Sequence, residues 1–110
     1  NSLYYTELRY SSAFTTFAFD FVEGKRKTWK SVNEFIETFV VSEEILNDFI
    51  AFSEEEAGIK LRPSDLEVSE SLIKRTIKGE IARQLWVEQG YYRVQTETDT
   101  DIQEAIKSLN

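Results

Sequence analysis

Apolar residues recur at three- and four-residue steps through Leu72, Ile73, Ile77, Ile81, Ala82, Leu85 and Trp86, the spacing of one helix face. Lys74, Arg75, Lys78, Glu80, Arg83 and Gln84 fall between them and point away from that face. The pattern predicts a long helix over Val68–Gln89. At 1.5 Å per residue it would be roughly 30 Å long, the width of a small domain. Shorter amphipathic segments precede it. Over Leu3–Glu23, Phe14, Phe17, Ala18, Phe21 and Val22 follow a helical stripe. Phe17, Phe19 and Phe21 also alternate as in a strand, but Leu8 and Val22 extend the helical pattern and no hairpin partner follows, so helix is expected. Ser31 and Glu34 form a capping box ahead of Val32, Phe35, Ile36, Phe39 and Val40. Ser42, with Glu43 and Glu44 behind it, caps the next segment, whose buried face would be Ile45, Leu46, Phe49, Ile50 and Phe52.

Breakers divide these segments. Gly24 and Gly58 suit helix ends, and Pro63 forbids a helix running through it. Ser64, completed by Glu67, or Ser69 is the expected cap of the long helix. Gly79 sits inside that helix at a cost of about 1 kcal/mol relative to Ala, which close approach by another helix would explain. Gly90 would end the helix, Tyr91, Tyr92 and Val94 would form a connector, and Thr100 with Gln103 would cap a last helix carrying Ile102, Ala105, Ile106 and Leu109. The expected architecture over 1–110 is therefore one all-α domain, a bundle of about five helices around one long central helix.

Composition narrows what such a bundle can do. Hydrophobic residues make up 41% of the 110 positions and aromatics 14%, enough for a packed interior. The net charge of −7 opposes nucleic acid and anionic membranes as partners. Neither half is basic: residues 1–62 carry 7 positive and 11 negative groups, residues 63–110 carry 6 and 9. With no Cys and no His, disulfides, thiolate nucleophiles, Cys/His zinc sites and imidazole catalysis are excluded. No apolar run approaches about 20 residues, so no membrane insertion is expected. The sequence has no Met, and is expected to be a processed or excised piece with any signal peptide upstream.

Candidate chemistry is sparse. Ser71 and Lys74 match the S-x-x-K pattern that sets a lysine beside a nucleophilic serine, but the companion S-D-N and K-T-G elements are missing. Lys25, Arg26 and Lys27 could form an anion patch, yet at a helix end they read as solvated cations near terminal carbonyls. Glu54, Glu55 and Glu56 diverge around a helix axis and cannot converge on one ion. Asp99 and Asp101 lack the glycine and the bidentate Glu of a calcium loop. Trp86, Tyr91 and Tyr92 could offer a stacking platform but read as packing residues. No catalytic, cofactor-binding or metal-ligating residue is assigned, and no cofactor is expected.

Taken together, several segments carry a resemblance: Phe19-Asp20-Phe21-Val22 with Lys25-Arg26; Phe35 and Phe39 leading into Val41-Ser42, Ile45, Leu46 and Phe49; Ile73-Lys74, Ile77-Lys78, Ile81-Ala82-Arg83, Leu85-Trp86 and Tyr91-Tyr92-Arg93; then Asp99, Ile102, Ala105 and Ile106. This order resembles the C-terminal region of carboxyl-terminal processing (tail-specific) serine peptidases of bacterial cell envelopes. Gly24 and Gly79 depart from it, standing where a polar residue and a stronger helix former are expected. The family's serine–lysine dyad lies on a separate catalytic core beside a PDZ domain, and Ser71 and Lys74 do not correspond to it. The resemblance implies a non-catalytic accessory domain in the periplasm or cell envelope. It would dock on the peptidase core, self-associate, or govern access to the active site. The alternative is a free-standing helical adaptor.

Overall fold

A computed structural model describes residues 2–86. Among them the chain is all-helical, with α1 (Leu3–Tyr10), α2 (Ala13–Phe21), α3 (Val32–Thr38), α4 (Glu43–Ala57) and α5 (Pro63–Leu85) in order. The expected last helix at Ile102–Leu109, the Tyr91–Tyr92 connector and the helix end at Gly90 lie outside the described residues. α5 is the axis, with α1, α2 and α3 packed on it and α4 packed on α2. Its buried residues are Ser69, Ile73, Ile77 and Ile81, a row repeating every fourth position that is inclined to the helix axis and so turns toward different neighbours along its length. Leu72, Ala82, Leu85 and Trp86 flank that line, half-buried.

Local chemistry explains most of the boundaries. The Ser31 hydroxyl accepts from the Glu34 N–H at 3.1 Å. Glu34 Oε1 accepts from the Lys30 N–H at 2.9 Å, one residue earlier than in a standard capping box. Ser42 accepts from the Ile45 N–H at 3.2 Å. Gly58 closes α4 with φ of 70°, where its N–H reaches the Glu54 carbonyl and that of Ile59 reaches Ser53, both at 3.1 Å; the first is the 5→1 bond of a left-handed glycine cap.

Three boundaries differ from expectation. The stretch expected as one helix over Leu3–Glu23 is two. Ser11 Oγ donates to the Leu8 carbonyl at 2.8 Å and accepts from the Ala13 N–H at 3.0 Å, offering the backbone an alternative to the helical ladder. The long helix starts at Pro63, not at Ser64 or Ser69. The proline ring pre-sets the first helical φ, and its missing N–H costs nothing there. Ser69 is instead buried, donating to Ser2 Oγ at 2.7 Å. The acid in the first turn, Asp65, accepts from the Tyr4 N–H at 3.2 Å and so caps α1 from another element. Finally, α3 buries only Phe35 fully, while Ile36 and Val40 are 55% and 73% exposed. The helix ends at Thr38, and Phe39 continues in extended conformation, which carries Val40 off the helical stripe.

The core joins Tyr4, Leu8, Phe14, Ala18 and Val22 to Phe35, Leu46, Phe49 and the three α5 isoleucines. Tyr4 is fully buried and its hydroxyl has no hydrogen-bond partner among the described residues. Desolvation, with a smaller contribution from Glu54, pushes its pKa above the ordinary 10.0. Gly79 is exposed, and a methyl built on it meets nothing within 4 Å among the described residues. Among these residues no close helix approach explains it, contrary to the sequence expectation.

Three outcomes follow for chemical or thermal denaturation. Ile77→Ala should destabilise by about 2–5 kcal/mol, as a truncated, fully buried isoleucine does. Gly79→Ala should stabilise by about 0.5–1 kcal/mol, because the helix is kept and nothing is displaced. Tyr4→Phe should be neutral or stabilising, since it removes an unpaired buried hydroxyl. The raised folded pKa of Tyr4 means its contribution is fully present below the ordinary 10.0 and lost as pH rises through the higher folded value. The wild-type protein should therefore lose more stability above that pH than Tyr4→Phe does.

Candidate functional site

Ser71 and Lys74 lie on α5, and the structure gives them no dyad. Ser71 is exposed. The Lys74 ammonium donates to Glu43 Oε2 at 2.7 Å and pairs with Glu70 Oε2 at 3.2 Å. Hydrogen bonding to Glu43, and then to Glu70, holds its pKa above the ordinary lysine value. The same bond from Lys74 holds the Glu43 carboxyl below its ordinary value. A lysine general base needs the opposite shift, produced by desolvation or a neighbouring cation. Lys74 ties α5 to the start of α4 instead.

The basic triplet has a structural use that its sequence position hides. Lys25 Nζ donates to the carbonyl of Phe21, the last residue of α2, at 3.1 Å, and lies 4.7 Å from the centre of the Phe21 ring. Arg26 Nη1 reaches across the fold to the Gln84 carbonyl in the last turn of α5, at 2.9 Å. Lys78 Nζ does the same for α3, donating to the Ile36 carbonyl at 2.7 Å. Three helix C-termini are thus met by cations, where the unpaired carbonyls and the helix dipole favour positive charge. Of the triplet, Lys27 alone has no such bond among the described residues.

The remaining candidates separate in space or chemistry. Glu54, Glu55 and Glu56 are all exposed. Among the described residues, no group of three or more Asp or Glu is placed to hold a metal ion. Asp99, Asp101, Tyr91 and Tyr92 lie outside the described residues. Trp86 does not stand out as a platform. Its ring meets Phe35 edge-on at 5.6 Å, and Trp29 meets Phe35 and Phe39 at 4.9 and 5.6 Å, so both tryptophans cover the core. Among the described residues, no helix is long and apolar enough to cross a membrane.

One concave feature has no counterpart in any sequence motif. A groove of about 800 Å³ runs between the C-terminal end of α1 (Thr6, Tyr10) and the connector from α4 to α5 (Gly58, Ile59, Lys60, Arg62). A smaller hollow of about 230 Å³ adjoins it, sharing Thr6 and Tyr10 and adding Arg9. Arg62 Nη2 bonds Glu7 Oε2 at 3.2 Å at the groove wall. The residues that build it are scattered over more than fifty positions, which is why no linear pattern marks it.

Comparison with known proteins bears on the unit but not on its activity. No curated protein and no solved structure matches the chain. One family model matches residues 4–87, which spans all five helices but for the first residue of α1. That match covers most of the sequence, and the chain belongs to DUF8443, a family of unknown function.

Proposed function

We propose that this domain works by docking, as the non-catalytic accessory domain of a carboxyl-terminal processing serine peptidase of the cell envelope, with the peptidase's catalytic core as its partner. Two supports are independent. The first is the sequence resemblance, whose best block contains the isoleucine line of α5. The second is the observation that carries the docking half of the reading: Ile36 and Val40 stand exposed beside α3. On the same helix Phe35 is fully buried and packs against Trp86 at 5.6 Å. Apolar side chains exposed on an element with its own buried anchor suit contact with a second protein surface. A free-standing adaptor is the rival reading, favoured by the completeness of the domain's own core between Tyr4 and Ile81.

The test is calorimetric titration of the protein with the purified catalytic core of a carboxyl-terminal processing peptidase from the same genome. Saturable binding is expected, weakened about ten-fold or more by Ile36→Asp combined with Val40→Asp, as loss of apolar anchors does. Both residues are exposed, so the helical circular dichroism should not change. Absence of binding by the folded protein would contradict the reading and favour the adaptor. Labelling by a serine-directed acylating probe that Ser71→Ala abolishes would replace it with a hydrolase.

A further inference from the structure

The groove beside α1 differs in charge from the rest of the protein. The chain carries a net charge of −7, yet the ionisable side chains lining the groove and its adjoining hollow include Arg9, Lys60 and Arg62 against Glu7 alone. Arg62 and Glu7 pair with each other, which leaves Arg9 and Lys60 without a carboxylate partner among the described residues. Two helices end at this groove, and their terminal carbonyls would otherwise favour a cation. Some of these carbonyls are satisfied from within. The α4 carbonyls of Ser53 and Glu54 accept from the Ile59 and Gly58 N–H groups. At the end of α1, Glu7 and Leu8 carbonyls accept from the Ser11 N–H, and Leu8 also accepts from the Ser11 hydroxyl. Tyr10, 88% exposed, lines the groove together with Lys60 and the hollow together with Arg9, and the half-buried Ile59 adds apolar surface to the groove.

We propose that this groove binds an extended acidic peptide segment. Carboxylates of the segment pair with Lys60 and Arg9, while an intervening apolar side chain packs against Tyr10 and Ile59. Cations bordering a concave apolar floor recruit anionic partners by steering, and the alternation of side chains along an extended peptide suits charged and apolar contacts in turn. The inference does not depend on the peptidase reading, because the segment is recognised by its own chemistry.

The probe is a fluorescein-labelled Glu-Leu-Glu-Leu-Glu-Leu peptide followed by fluorescence polarisation, with the Lys-Leu repeat of equal length as comparison. The acidic peptide should bind and weaken as salt is raised from about 0.05 to 0.3 M. Arg9→Glu with Lys60→Glu should reduce affinity about ten-fold or more, and Tyr10→Ala by about three-fold or more. Lys27→Glu, whose side chain does not line the groove, should change it little. No binding up to millimolar peptide by the folded protein would overturn the proposal, as would equal loss with Lys27→Glu. Tighter binding of the lysine peptide would overturn it too, by showing that the Glu54–Glu56 run governs that end of the molecule.

Discussion

The fold depends on one core, in which the buried isoleucines of α5 cluster with aromatic rings from the other elements. Ten of the thirteen aromatic residues among the described residues form a connected series. It runs from Tyr5 through Phe14, Phe49 and Phe17 to Phe52 and Phe21, then through Phe39 and Phe35 to Trp29 and Trp86. Each ring pair contributes about 0.5–1.5 kcal/mol beyond the area it buries. Because the series has members in α1, α2, α3 and α4 and reaches Trp86 just after α5, it links elements such as α1 and α3 that are distant along α5. Aromatic richness that looks like a surface for partners is thus largely used inside the domain, and the surface left to recognise anything is correspondingly small.

Polar groups then close what the rings leave open. Lys25, Arg26 and Lys78 meet the C-terminal carbonyls of α2, α5 and α3, while Asp65 and Ser2 meet the amides at the start of α1. Arg26 matters most for architecture, since it ties the loop after α2 to the end of a helix nearly sixty residues later. Charges that could have formed an anion site are turned inward on backbone dipoles. Arg9 and Lys60, which have no carboxylate partner among the described residues, line the groove and hollow at the opposite end of α5, beside Tyr10.

Much of this was legible from residues. The Ser31 and Ser42 caps, the Gly58 stop, the helical reading of Phe14–Phe17–Phe21 and the α5 stripe each rest on a local rule, and local rules decided them. What escaped was decided by side-chain competition or by distance. Ser11 breaks a helix through its hydroxyl, which an apolar stripe running across it cannot reveal. Asp65 and Ser69 serve α1 rather than their own helix. The spacing of Ile36 and Val40 promised burial, but α3 is too short to carry both inward. The groove was invisible because Arg9, Tyr10, Lys60 and Arg62 meet only after folding. Ser71 and Lys74 matched a motif whose chemistry the surrounding carboxylates remove.

Native-state hydrogen exchange measures the central claim most directly, because it resolves which elements open together. If the core of isoleucines and aromatic rings holds the fold, the amides of Ile73, Ile77, Ile81 and Phe49 should exchange only through global unfolding. Those of α3 should open earlier and at lower free energy. Amides of α5 exchanging as fast as those of α3, in a protein that is otherwise folded, would contradict the account.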